Sequence, residues 1–550
     1  MKKNLTVWNL FSVVILAAFA LFIMYPIFLI LYRSVIHGDT GALTLQNFAH
    51  FFAKKFYWGT MVNSLKVTVV STILSAALGL PLAYLMRSVK IKGSSFLNIL
   101  IVISYLSPPF IGAYAWIQML GRQGVITQFL NDTFGPHYGG VYGFAGIVLV
   151  FTLQSFPLVY IYVSGALKNL DNSLNEAAES LGCSRMGRIW KIIVPLVMPT
   201  LLASSMLVFM RVFADFGTPM LIGEGYKTLP VLIYNQFMGE VSGDDGFAAA
   251  ICCIVIGLTI VMFFVQRFLA GRNTYAMTAL KPMAAESLGG LRNILAHLAV
   301  YMVVGLAILP QFVVVYTSFL ATNGGQVFTG GFALQSYDAT LFAKDNDVIW
   351  HTYFLGLCAI AAVLVLGVLI AYLSVRKRNT LNSILDVITM FPFIIPGSVL
   401  GIAFVFAFNK SPIILTGTAL IMIISFAVRR MPYTVRSSTA ILGNISPSIE
   451  EAAISLGASD MTTFRKITVP MMMPGVLSGA IMSWVTIISE LSSSIILYTN
   501  STQTLTVSIY TEVIRGNYGN ASAYATILTV TSILSLLLFY KVTGRRDVSV

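Results

Sequence analysis

The sequence predicts an all-α membrane protein of about twelve transmembrane helices, arranged as two parallel six-helix repeats. Three observations predict it. The 550 residues are 57% hydrophobic and only 10% charged, too little polar surface to clothe a soluble globule of that size. The apolar residues gather in blocks of about 20 or more, the length a helix needs to cross roughly 30 Å of hydrocarbon at about 1.5 Å per residue. Finally, a seven-residue segment returns at an offset of 275 residues.

The blocks lie near residues 8–32, 60–86, 96–120, 142–163, 197–216 and 247–268, then 292–320, 351–375, 383–408, 413–430, 475–497 and 521–541. The net charge of +13 raises the question of nucleic acid, and the placement of the basic residues answers it. Lys2 and Lys3, Arg87 to Lys92, Arg185 to Lys191, Arg267 and Arg272, Arg376 to Arg378, Arg429 to Arg436, Arg465 with Lys466, and Arg545 with Arg546 fall in alternate loops. About 24 of the 34 Lys and Arg lie there, so by the positive-inside rule that face and both termini are cytoplasmic. A nucleic-acid surface has no reason to skip every second loop. The apolar run behind Met1, Lys2 and Lys3 continues to Tyr32, longer than a signal-peptide core, and reads as an uncleaved anchor. Cys183, Cys252, Cys253 and Cys358 form no disulfide framework, and the five histidines include no pair at ligand spacing, so no metal site is expected.

The repeat sets the domains. Glu176-Ala177-Ala178-Glu179-Ser180-Leu181-Gly182 matches Glu451-Ala452-Ala453-Ile454-Ser455-Leu456-Gly457. The same offset carries Pro195 and Pro199 onto Pro470 and Pro474, and Asp215 onto Glu490. Upstream the offset drifts to about 290, placing an insertion in the polar stretch Gly121 to Gly140 of the first half. The first half is residues 1–270, the second 292–550, and the polar segment 271–291 is a cytoplasmic linker. An even number of spans per half means that both copies enter the membrane from the same side and can enclose a pathway.

In each copy a short helix is expected inside loops 171–199 and 446–474. Ser173 or Asn172, and Ser446 or Ser448, are candidate caps, and Glu176, Glu179, Glu450 and Glu451 suit the positive end of a helix. The paired alanines Ala177-Ala178 and Ala452-Ala453 keep the helix slim, and Gly182 and Gly457 permit a left-handed stop. Such helices can fit grooves on another protein. The full pattern is Glu-Ala-Ala, three residues, Gly, nine residues, Ile, one residue, an aliphatic residue and Pro. It resembles the signature loop of the inner-membrane permeases of binding-protein-dependent ABC importers, departing only at Val194 and Val469, where that family usually shows Leu.

The resemblance implies a type I ABC importer permease fold. It also implies that Glu176, Ala177, Ala178, Gly182, Glu451, Ala452, Ala453 and Gly457 couple the spans to a separate ATP-binding subunit, itself a homodimer. An extracytoplasmic substrate-binding protein would deliver the cargo, and the location would be the bacterial inner membrane. The chain has no Gly-rich phosphate loop ending in Gly-Lys-Ser or Gly-Lys-Thr, so it is not itself the ATPase and needs no cofactor of its own.

Charges inside spans cost about 2.5 to 3.5 kcal/mol each on insertion scales, which makes survivors candidates for function. Arg211 and Asp215 are four apart on the fifth span and can pair; Glu490 repeats Asp215. Gly217 and Pro219 should break the span there. Within the superfamily, one chain holding both halves resembles the ferric-iron importers and their thiamine and aminophosphonate relatives. Two inward-facing carboxylates suit a cation such as Fe(III), with thiamine, 2-aminoethylphosphonate or polyamine as alternatives. A secondary transporter shares the six-plus-six layout but has no use for two Glu-Ala-Ala loops.

Overall fold

In the computed structural model, residues 7–36, 41–107, 109–135, 138–239, 245–270, 285–323, 327–342 and 347–543 are described. Most of the expected linker, together with Lys2, Lys3, Arg272, Arg545 and Arg546, lies outside them. Among the described residues, nine helices are long and apolar enough to span: Val7–Ser34, Lys55–Ser88, Gly143–Lys168, Arg185–Phe213, Asp245–Val265, Gly290–Ser318, Val348–Val375, Asp460–Ile488 and Tyr518–Phe539. Two further spans are broken, Ser94–Tyr105 with Phe110–Phe134, bent by 101°, and Thr380–Ile394 with Gly397–Phe408, bent by 111°. The prolines explain the breaks. Pro109 and Pro396 deprive the chain of a helical N–H at each corner.

The tenth predicted block is where the structure corrects the sequence. Residues 413–430 were expected to end at a cytoplasmic loop containing Arg429 to Arg436. Instead the helix runs Ala419–Asn444, with Arg429 and Arg430 near its middle. The chain is also not purely helical, since a small antiparallel hairpin, Leu320–Asn323 with Val327–Phe332, follows the first span of the second half.

Each half is built on one tight helix pair. Lys55–Ser88 presents Thr60, Ser64, Thr68, Ser71, Ser75 and Gly79 along one buried face against Gly143–Lys168. Small residues let the backbones approach, which is how helices associate without a hydrophobic drive in lipid. A Cβ at Gly79 would stand 2.7 Å from Val159 Cβ. The second half repeats this with Val348–Val375 against Ala419–Asn444, where a Cβ at Gly367 would stand 2.9 Å from Thr434 Cγ2.

The first helix of each half crosses to the other half. Val7–Ser34 packs on Thr380–Ile388 and Gly397–Phe408, where Ser12 Oγ donates to Asn382 Oδ1 at 2.6 Å. Gly290–Ser318 packs on Ser94–Leu106 and Pro109–Leu120, where Thr317 Oγ1 donates to Gln118 Oε1 at 3.2 Å. The halves are thereby interlocked by buried polar contacts, which specify register better than apolar packing alone.

Three π-turns, Ala20–Met24, Ile189–Ile193 and Phe464–Thr468, each end two residues before a proline: Pro26, Pro195 and Pro470. In each, the N–H of the residue preceding the proline reaches back five residues. A proline inside a helix removes one N–H and crowds the preceding turn, and the wider turn accommodates both.

Candidate functional site

The two repeated loops fold alike, residue for residue. Helices Ser173–Ser180 and Ser448–Ser455 carry the Glu-Ala-Ala segments. The first start differs from expectation, since neither Asn172 nor Ser173 caps through its side chain, whereas the second uses Ser446, one of its two candidates. Asp171 Oδ1 accepts from Ser173 N at 2.9 Å, and Ser446 Oγ accepts from Ser448 N at 3.4 Å, at positions 275 apart. Asn172 is used otherwise, its Nδ2 donating to Glu176 Oε1 at 2.9 Å. The stops are as expected. Gly182 has φ +78° and Gly457 φ +90°, and the N–H groups of Cys183 and Ala458 return to the carbonyls of Ala178 and Ala453 at 2.9 and 3.1 Å. Only glycine takes this left-handed closure without strain. The next helices begin at Ser184 and Ser459, whose hydroxyls accept from Gly187 N and Thr462 N, each at 3.2 Å.

Sequence reasoning missed the apolar tips. Leu181 is 88% exposed and Leu456 89%. Around them, Leu174, Met186 and Trp190 in the first loop, and Ile449, Ile454 and Met461 in the second, are exposed as well. A single exposed leucine means nothing, but the same cluster built twice at one turn is an apolar patch of the kind that a partner protein or a membrane surface covers. The signal was present in the repeat, as a leucine directly before each glycine stop. Glu451, Ala177 and Ala452 are exposed on these helices, Glu176 and Ala178 half-buried, and Ala453 buried.

The second constellation lies where the spans break. The helix Val194–Phe213 stops before Asp215, whose Oδ1 accepts from Thr218 N at 2.9 Å and so starts the short helix Gly217–Ile222. Val469–Ile488 stops before Glu490, whose Oε1 accepts from Ser493 N at 3.2 Å, starting Ser494–Leu497. These carboxylates occupy equivalent turns. The two turns meet between the halves: a Cβ at Gly217 would stand 3.1 Å from Leu491 Cδ2, and Phe216 lies 6.0 Å from Tyr510, ring centre to ring centre.

Their electrostatic settings are unlike. Glu490 is 3% exposed, and its two oxygens are clamped, one by Arg429 and the other by Arg430. Gly397 makes room for this clamp, since a Cβ there would collide with the Arg429 guanidinium. The positions matching Arg429 and Arg430 in the first half are Gln154 and Ser155. The expected pairing of Arg211 with Asp215 does not form. The Arg211 guanidinium lies 4.8 Å from the centre of the Tyr105 ring, a cation–π contact, and Asp215 turns to its backbone cap. The charged side chains at the two breaks are therefore three arginines and two carboxylates, with one carboxylate fully engaged. Two free inward carboxylates, the basis for expecting a cation, are not present: Glu490 is committed to its arginines. Among the described residues no group of three or more His, Cys, Asp or Glu could hold a metal ion, and the four cysteines are free.

The chain matches the model of the binding-protein-dependent transport system inner membrane component twice, over residues 75–275 and 363–546. It is 30% identical over 546 residues to the ferric transport system permease protein FbpB of Actinobacillus pleuropneumoniae, covering 97% of this chain and 78% of that one. It is also 30% identical over 505 residues to the putative ferric transport system permease protein FbpB 1 of Haemophilus influenzae, covering 90% and 78%. A putative 2-aminoethylphosphonate transport system permease protein PhnU of Salmonella choleraesuis is 26% identical over 270 residues, 48% of this chain and 92% of its own. The chain belongs to the binding-protein-dependent transport system inner membrane component family, as a multi-pass permease of an ABC importer with two family units in one polypeptide.

Proposed function

We propose that this permease carries ferric iron, received from an extracytoplasmic binding protein, and that a separate homodimeric ATP-binding subunit docks on loops 171–199 and 446–474. The observation that carries the docking is the pair of matched loops, each presenting an exposed leucine at the glycine stop of a slim acidic helix. Two copies of one surface suit two copies of one partner. The ATPase then holds the nucleotide, and this chain binds no cofactor and hydrolyses nothing. Both termini and the segment 271–291 lie on the cytoplasmic side with the loops, units 1–270 and 292–550 enclose the pathway between them, and the location is the bacterial inner membrane.

The cargo reading rests on the ferric transport permeases that this chain resembles over nearly its whole length. It does not rest on the carboxylates. Three arginines against two carboxylates at the breaks favour a second reading, an anionic cargo group such as a phosphonate, which matches arginine chemistry. Uptake of radioactive ferric iron and of labelled 2-aminoethylphosphonate by cells with and without this chain separates the two. ATP-dependent iron uptake that disappears with the chain supports the first reading; phosphonate uptake alone replaces it with the second. Charge reversal at Glu176 and Glu451 together should abolish uptake while leaving the chain in the membrane, and unchanged uptake would sink the docking assignment.

A further inference from the structure

The two loops share a backbone but not an attachment. In the second, Glu450, one residue before the Glu-Ala-Ala segment, points inward and is buried. Arg376, at the end of the span Val348–Val375, donates through Nε to Glu450 Oε1 at 2.9 Å and through Nη2 to the Ile445 carbonyl at 2.6 Å. Tyr372, one turn back, donates to Glu450 Oε2 at 3.5 Å. The neighbouring Lys377 pairs with Asp460 at 2.8 Å, at the start of the helix that follows the loop. The Tyr372 ring lies 4.6 Å from Phe464 and 4.8 Å from Trp8 of the amino-terminal helix. One span end thus grips both helices of the loop and the first helix of the chain.

The first loop lacks the means to do this. At the offset of 275, Glu450 corresponds to Asn175, Asp460 to Arg185 and Phe464 to Ile189. At the upstream offset, which matches Tyr372 with Tyr84, Arg376 corresponds to Ser88 and Lys377 to Val89. Neither ion pair can form from these residues. The backbone there is engaged elsewhere: Glu286 N donates to Ser88 O and Lys90 N to Glu286 O, both at 2.9 Å.

We infer that Glu450 is a positioning residue that ties the second docking helix to the end of the span Val348–Val375, a tie that the matching residues Asn175 and Ser88 of the first half do not make. A charge pair withdrawn from water is directional and resists displacement, so a push on helix Ser448–Ser455 moves Val348–Val375 with it. That span packs along Ala419–Asn444, which carries the arginines that hold Glu490. Motion at the second loop is passed to the second break through packed helices, whereas in the first loop Arg188 pairs with Glu179 and joins the two loop helices to each other. The inference rests on the importer reading, in which these loops receive the ATPase.

The test uses the complete complex, purified through a tag on this chain and reconstituted in lipid vesicles with its binding protein loaded with Fe(III). ATP hydrolysis and iron uptake are measured together, with the amount of co-purified ATPase as control. Glu450→Gln should lower uptake about tenfold while ATP hydrolysis stays within about twofold, the signature of lost coupling. Asn175→Ala, at the matching position, should leave both within about twofold. The exchange Arg376→Glu with Glu450→Arg should recover part of the uptake that either single change loses, a rescue that mere side-chain volume does not explain. Should Glu450→Gln not reach the membrane, Arg376→Lys keeps the charge and loses the fork, and the same uncoupling is expected of it. Equal effects of Glu450→Gln and Asn175→Ala, or parallel loss of hydrolysis and uptake, would overturn the inference. A wild-type complex without ATP-driven iron uptake would instead overturn the reading on which it rests.

Discussion

The breaks at Asp215 and Glu490 are one backbone device in two electrostatic settings. In both, a carboxylate two residues past a span caps the next short helix three residues on. In the first half, among the described residues, no arginine forms an ion pair with it. In the second, the carboxylate also neutralises two arginines within the membrane. The lesson is that a duplicated sequence preserves geometry before it preserves charge. Equivalent position therefore does not establish equivalent role, and the pair cannot be read as a symmetric cation site.

Removing each carboxylate should expose the difference. Glu490→Gln leaves Arg429 and Arg430 buried without a counter-charge, a loss of about 3 to 5 kcal/mol that thermal unfolding of the purified chain will register as a large fall in Tm. Asp215→Ala removes the cap on Thr218 N, and about 1 kcal/mol is expected. Equal falls would erase the distinction. Coupling the loss to its cause gives the next largest effect: Glu490→Gln combined with Arg430→Gln should be more stable than Glu490→Gln alone by about 1 to 3 kcal/mol, as expected of residues in one network. Gly182→Ala and Gly457→Ala force a Cβ into the left-handed region at φ +78° and +90°. Each should cost about 1 to 2 kcal/mol locally, seen as faster amide exchange in the loop helices, and here the two halves should behave alike.

The loops were legible because they are written twice and because their signals are local: an acidic first turn, an alanine pair and a glycine stop. The break at Gly217 and Pro219 was legible because its signal is local too, although the second half has Ser492 and Ser494 there. Arg429 and Arg430 were not. Three arginines between 429 and 436 carry the local mark of a cytoplasmic loop, and what holds two of them in the membrane is a carboxylate 60 and 61 residues further on. Pairing across that distance leaves no periodic trace. The repeat did contain a clue, since the offset of 275 sets Arg429 and Arg430 over Gln154 and Ser155, within a block that reads as a span. Glu450 escaped in a similar way. A glutamate in a first turn satisfies the helix dipole whether it faces water or, as here, an arginine from another helix.

If an ATPase attaches at the two matched loops, their exposed leucines lie in the contact. Leu181→Arg and Leu456→Arg, separately and together, change residues that touch little of this chain, so its own unfolding free energy should change by no more than about 0.5 kcal/mol, as is usual for a surface substitution. The amount of ATPase co-purified with this chain should fall in each single variant and vanish in the double variant. A double variant that retains the wild-type amount of ATPase would contradict it.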